Sequence, residues 1–216
     1  MTQRPALRPA DAASLILADA TGAEPLFLMG RRSGGHVFMA HNRVFPGGRV
    51  ERSDSHAQTP DALATTDMER LADELGGGRG RSRRAAAFGT CALRETREET
   101  GLVLADIALL TPIRYVARAI TPPGQVRRYD TRFFLASVDR ARLDFASTDG
   151  ELAEIDWYPL PTDDDDAVHR ITRVMMRLAH ERLRADPALV SDAPVPCFRV
   201  RNGRRVVEYP ADGAFP

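Results

Sequence analysis

Glu95, Glu98 and Glu99 have the types and spacing that could do chemistry. Separations of i, i+3 and i+4 place all three on one face of a helix. A solvated acidic stripe would cost only about 0.2–0.5 kcal/mol per like-charged pair, so the triplet alone does not define a site. Joined by a backbone carbonyl, three carboxylates make a hard oxygen site, suited to Mg2+ or Mn2+ rather than zinc. Such an ion shares its shell with substrate phosphates. A diphosphate approaching bare carboxylates is repelled. A cation between them turns repulsion into binding and lowers the pKa of a bound water. The chemistry in view is metal-assisted hydrolysis at phosphorus.

The elements that must position these acids follow from pattern. Ala85–Thr100 is rich in Ala, Leu, Arg and Glu, which predicts a helix stopped by Gly101. Upstream, Ala13–Ala18 and Leu26–Met29 are apolar runs around a Gly-containing loop, a predicted hairpin. Arg43–Phe45 runs into Pro46-Gly47-Gly48, a turn. In Ser53–Arg84, Thr59-Pro60 is a good helix start and Leu63, Met68, Leu71 and Leu75 follow at helical spacing. The basic stretch Arg79–Arg84 reads as a linker. Downstream, Ile107–Leu110, Ile113–Ile120 and Thr131–Val138 read as strands. Thr162 is the expected cap of a helix running to about Ala185, with Asp163–Asp166 in its first turn. Asn202-Gly203 between two short strands predicts a terminal hairpin.

Composition bounds the rest. Thirty basic and thirty acidic residues balance over 216 residues, which leaves no bulk charge for nucleic acid or an anionic membrane. Every basic residue is arginine, so lysine Schiff-base chemistry is excluded. Cys91 and Cys197 form no CxxC pair and read as buried thiols of a reducing cytoplasm. No apolar run approaches the roughly twenty residues of a bilayer span, and the N-terminus shows no signal-peptide pattern. The expectation is a soluble, cytoplasmic, single-domain protein.

These residues resemble the Nudix box, G-x5-E-x7-R-E-U-x-E-E-x-G-U with U aliphatic. Gly48, Arg94, Glu95, Glu98, Glu99, Gly101 and Leu102 match it. Asp54 stands where the first glutamate is usual, Thr96 replaces an aliphatic residue, and 39 residues separate Asp54 from Arg94 where seven are usual. The resemblance implies a Nudix hydrolase over residues 1–216: an α/β/α sandwich with a mixed sheet, a helical insertion at 55–84 packed on the surface, and a C-terminal hairpin extension at 188–216. It implies Mg2+ or Mn2+ bound by Glu95, Glu98, Glu99 and the Gly48 carbonyl, with Arg94 orienting the cluster by pairing with Glu98 at i+4. Glu98, Glu99, Arg94 and Glu151 are the implied catalytic residues. Glu151, in a Glu-x-x-Glu-x-x-Trp-x-Pro-Leu segment, is the candidate general base, with Glu154 behind it. The family's acid–arginine pairing would join Asp54 to Arg94.

Leu28–Ser33 with Phe45–Gly48 resembles the upstream signature of coenzyme A-cleaving members, and Phe38-Met39, Val44–Gly48 and Arg128–Leu135 resemble the peroxisomal coenzyme A diphosphatase branch and its bacterial relatives, which also carry a long insertion in the box. Coenzyme A or acyl-CoA would then be cleaved to 3′,5′-ADP and 4′-phosphopantetheine, with Arg31, Arg32 and Arg128 as candidate phosphate contacts. The implied partner is a small nucleoside diphosphate derivative, with no nucleic acid and no membrane, and a homodimer is the assembly the resemblance allows. ADP-ribose or NADH is the alternative substrate. A nucleotide sensor without turnover and an interaction scaffold built on the insertion and terminal hairpin are the alternatives in kind. A sensor would typically lose box glutamates, whereas this chain keeps Glu95, Glu98 and Glu99.

Overall fold

The structure, a computed structural model, describes residues 7–32, 42–57, 63–76, 78–102, 112–143 and 152–209. The strands are β1 (Ala10–Asp19), β2 (Leu26–Arg32), β3 (Arg43–Val44), β4 (Gly47–Arg49), β5 (Arg114–Ile120), β6 (Tyr129–Val138), β7 (Leu152–Tyr158), β8 (Cys197–Arg201) and β9 (Arg204–Glu208). The helices are α1 (Thr65–Glu74), α2 (Arg81–Thr100) and α3 (Arg170–Ala185). The strands form one mixed sheet in the order β3-β2-β1-β6-β5-β8-β9, with β4 added to β1 and β7 to β2. Pairing is parallel in β1–β6 and β5–β8 and antiparallel elsewhere.

Both faces of the sheet are covered, which is why β1 is buried without a break from Ala12 to Asp19. Alternate residues serve opposite layers. Ala13, Leu15 and Leu17 pack with α1 and α2, while Ile16 and Ala18 pack with α3. The expected sandwich with the acidic helix on one side is what the chain forms. The first hairpin pairs Ala18 with Phe27. The terminal hairpin turns at Asn202 and Gly203, with φ of 51° and 75°, the positive values that a tight two-residue turn demands. It joins the main sheet through β8.

Three expectations need correction. The last helix is capped by His169, not Thr162; its ring nitrogen accepts from Ile171 N–H. Asp163–Asp166 precede the helix because side chains satisfy the backbone there in a turn. Asp165 accepts from Ala167 N–H at 2.9 Å, and Arg173 donates to the Asp163 and Asp165 carbonyls. Arg81–Arg84 are not linker but the first turn of α2, which Gly80 enters at φ 78°. Arginine is a good helix former, and Ala85, Phe88, Cys91 and Ala92 extend a buried face from that turn.

The third correction concerns α1, which opens at Thr65 after Ala64; Thr59-Pro60 lie outside the described residues, as do the candidate strand Ile107–Leu110 and Glu151. This helix is no surface appendage. Leu63, Leu71 and Ala72 are core residues, and Leu63 lies so close to Gly89 of α2 that a Cβ there would overlap it. Asp67 accepts from Arg114 at 2.7 Å and from Tyr115 N–H at 2.9 Å. Glu74, its side chain fully buried, accepts from the Tyr115 hydroxyl and lies 3.5 Å from Arg118 and 3.8 Å from Arg132.

Candidate active site

The site forms where the C-terminal half of α2 faces the Pro46–Arg49 turn. That turn lies beside β1, with Gly48 opposite Ala13 and Gly47 opposite Ser14. α2 ends where Gly101 adopts φ 69° and returns its N–H to the Arg97 carbonyl, so the last two helical turns carry Arg94, Glu95, Glu98 and Glu99.

Arg94 is the hub. It grips Asp54 with two nitrogens, at 2.8 and 3.1 Å, and reaches Glu95 at 2.8 Å and Glu98 at 3.0 Å. One of the two nitrogens on Asp54 also donates to the Arg49 carbonyl at 3.2 Å. The pairing of Arg94 with Glu98 at i+4, expected from the sequence, is present. Asp54 closes the 39-residue gap directly. Its side chain is 1 % exposed, and it also accepts from Glu51 N–H at 2.7 Å. An aspartate, shorter than the usual glutamate, thus still meets the arginine, because a one-turn 3-10 helix, Ser53–Ser55, carries it to α2.

The glycines have distinct reasons. Gly47 N–H donates to Glu99 at 2.8 Å, which ties the turn to the buried end of the acidic face. Gly48 lies against the Glu95 carboxylate, and a Cβ there would overlap it. Glu99 is buried, Glu95 largely buried, and the Glu98 side chain is 58 % exposed. The acidic face therefore runs from core to solvent.

Electrostatics follow from this packing. Burial pushes the Glu95 carboxyl above its usual range; Arg94 opposes the shift, and Glu98 and Asp54 add to it. The hydrogen bond to Asp54 holds the Arg94 guanidinium even more firmly charged, against the opposing effect of burial. Cys91 is buried, and burial first, then Asp54 and Glu95, drives its thiol far up. It is no thiolate nucleophile.

Four acids share the neighbourhood of one guanidinium, so the cluster carries excess negative charge. Glu95, Glu98, Glu99 and the Gly48 carbonyl are all oxygen donors, the set a hard divalent cation takes. As they stand, Glu95 and Glu98 lean on Arg94 and Glu99 on Gly47. Among the described residues, no three Asp, Glu, His or Cys side chains converge closely enough to cage an ion.

Among the described residues, the contacts of Arg31 and Arg128 lie elsewhere. Arg31 pairs with Glu154 at 3.2 Å. Arg128 donates to the carbonyls of Thr121, Pro122 and Leu7, which occupies the guanidinium with backbone. Arg32 ends β2 opposite Leu152, its side chain outside the described residues. Sequence reasoning gives no role to Ser14 and Cys91, whose side chains both donate to the glycine turn. Their only sequence signal is position: Ser14 is polar within an apolar strand, and Cys91 lies one helical turn before Arg94.

Residues 79–176 match the family model described as NUDIX domain. The match begins at α2, so the fold, rather than that stretch, brings Gly48 and Asp54 to the helix. No curated protein matches the chain in sequence. Among solved structures, the chain is similar to a NUDIX hydrolase from Alicyclobacillus acidocaldarius, at 21% identity and TM-score 0.60, covering 85% of this chain and 96% of that one. It also resembles a MutT/nudix family protein from Enterococcus faecalis, at 18% identity and TM-score 0.54, covering 88% and 69%. A third is the NUDIX domain of Shewanella oneidensis NrtR, solved with ADP-ribose, at 13% identity and TM-score 0.53, covering 82% and 90%. At these identities the likeness speaks for the fold. Among the described residues no helix is long and apolar enough to cross a membrane. The family model thus lies on the acid-bearing helix, over residues 79–176, and the chain as a whole shares its fold with solved NUDIX structures.

Proposed function

We propose that the chain hydrolyses the diphosphate linkage of coenzyme A or acyl-CoA, releasing 3′,5′-ADP and an (acyl-)4′-phosphopantetheine. The observation that carries the hydrolytic part is the single arginine that gathers Asp54, Glu95 and Glu98 around a glycine turn. The CoA assignment rests on the sequence likeness of Leu28–Ser33 with Phe45–Gly48 to coenzyme A-cleaving members, and of Phe38-Met39, Val44–Gly48 and Arg128–Leu135 to the peroxisomal coenzyme A diphosphatase branch. Bound between Glu95, Glu98, Glu99 and the Gly48 carbonyl, Mg2+ or Mn2+ would neutralise diphosphate charge and polarise its oxygens.

In this reading Arg94 gathers and orients the carboxylates. Asp54 fixes Arg94. Glu98, the most exposed of the four acids, meets the substrate side. Glu151 takes the proton from the attacking water, with Glu154 as the alternative base. Glu154 would first have to leave Arg31, to which it is paired. Arg31 and Arg32 lie at the same end of β2 and are the proposed phosphate contacts, with Arg128 the third.

ADP-ribose is the second substrate, favoured by its presence in the NrtR domain that shares the fold. The test is a hydrolysis panel of CoA, acyl-CoA, ADP-ribose, NADH and dinucleoside polyphosphates, each with Mg2+ and Mn2+. Metal-dependent release of 3′,5′-ADP supports the CoA reading, and turnover of ADP-ribose alone replaces it. Binding of a nucleotide with no turnover of any of these would establish a sensor instead.

A further inference from the structure

The glycine turn is held by more than its strand pairing. The Pro46 carbonyl accepts from the Ser14 hydroxyl at 2.8 Å and from Leu15 N–H at 3.1 Å. The Gly47 N–H is taken by Glu99. The Arg49 carbonyl accepts from Arg94 at 3.2 Å and from the Cys91 thiol at 3.3 Å, and the same sulfur lies 3.7 Å from the Gly48 carbonyl. Ser14 is 7 % exposed and Cys91 is fully buried. Both are small neutral donors, one on β1 and one on α2, and each supplies a hydrogen to a carbonyl that would otherwise lack that partner.

We infer that Ser14 and Cys91 are positioning residues that clamp the Pro46–Arg49 turn between β1 and α2 and so set where the Gly48 carbonyl stands against the acidic face. The inference rests on the metal-binding reading above and goes beyond it, because neither side chain belongs to the acidic cluster. The competing account of Cys91 is that of a small hydrophobe filling space. The two accounts differ in what serine does. A hydroxyl keeps the donor and loses some apolar volume, whereas alanine loses both.

The experiment uses the full chain with Cys91→Ala, Cys91→Ser and Ser14→Ala, and two readouts. Amide hydrogen exchange over residues 45–50, without added metal, reads the clamp. Mn2+ titration by calorimetry, without substrate, reads the consequence. Loss of one neutral hydrogen bond corresponds to roughly twofold to tenfold faster exchange. That acceleration is expected over this segment in both alanine variants, with melting temperature confirming that the fold persists. Cys91→Ser should stay within about twofold of the wild type, and Mn2+ affinity should weaken in the alanine variants and recover in Cys91→Ser.

Unchanged exchange in both alanine variants overturns the clamp, as does Cys91→Ser exchanging as fast as Cys91→Ala. Faster exchange with unaltered Mn2+ affinity overturns the link to the carbonyl. If Cys91→Ala fails to fold, Ser14→Ala carries the same test. Wild-type protein that binds no Mn2+ sinks the metal reading, and this inference with it. That outcome is distinct from a wild type that binds the ion with variants that bind it equally well.

Discussion

Two clusters of arginine and carboxylate lie on the same side of the sheet, and they are built for opposite ends. At the end of α2, one arginine faces Asp54, Glu95 and Glu98, with Glu99 held by a backbone N–H. Beneath α1, Asp67 and Glu74 meet Arg70, Arg114, Arg118 and Arg132, and Asp11, Asp130 and Asp192 join them. The first cluster has surplus acid and opens to solvent at Glu98. The second is closer to balance, and its centre is buried, with Arg132 stacked over Phe88 of α2 at 4.3 Å. Burial alone does not separate a chemical site from a structural one, since Asp54 and Asp67 are both 1 % exposed at their side chains. What separates them is net charge: five acids to four arginines beneath α1, against four acids to one arginine at the end of α2. Surplus acid there is a standing cost of the free protein that a bound cation would relieve.

The comparison breaks most completely if α1 can be spared. Excising Leu63–Glu74 would strip the two buried acids, Asp67 and Glu74, from Arg114, Arg118 and Arg132 and open the core at Gly89. No folded protein is expected, by circular dichroism or by size-exclusion chromatography. A folded, active product would return α1 to the status of a surface insertion. At the other cluster, Glu98→Gln and Glu99→Gln are each expected to lower turnover by more than the roughly 10–100-fold seen for groups one shell out from a metal, with melting temperature nearly unchanged for the exposed Glu98. Near-normal turnover in both would remove the carboxylates from the chemistry. Asp67→Ala should show the reverse: a loss of about 3–5 kcal/mol in stability by denaturant titration, because it strands a buried guanidinium, and little change in kcat for the folded fraction.

The two clusters also differ in how far sequence reasoning reaches them. Arg94, Glu95, Glu98 and Glu99 lie within one helix, where residue spacing fixes which side chains share a face. The pairing of Arg94 with Glu98 therefore follows from spacing alone. Asp54 and Gly48 keep their mutual spacing on one turn, so they are legible in kind, but the contact of Asp54 with α2 spans 40 positions and depends on the fold. The α1 network is invisible to such reasoning. Its two buried acids come from a helix whose pattern suggests a peripheral insertion, and three of its arginines come from strands 44 to 58 positions further on. No local pattern marks a charged residue as buried when its partner lies that far away. The same limit explains the misplaced start of α3. Thr162 has the right chemistry for a cap, but Asp165 and Arg173 close a turn that propensity does not reveal.

The smallest effect is also the sharpest test of balance beneath α1. Burial pushes the Glu74 carboxyl up to about 7, against the pull of Arg118, Arg132 and the Tyr115 hydroxyl. Its folded pKa therefore stands above the value of an unfolded glutamate, and the folded state holds the proton more tightly. That contribution to stability is fully present below about pH 4.5 and is lost as pH rises through about 7. Glu74→Gln removes the titration while keeping an acceptor for the Tyr115 hydroxyl. The difference in melting temperature between wild type and Glu74→Gln should shift in the wild type's disfavour as pH rises from 5 to about 8. If the difference stays flat across that range, Glu74 ionises as readily in the fold as outside it. The arginines would then compensate it fully, and the cluster beneath α1 would be balanced more completely than its burial suggests.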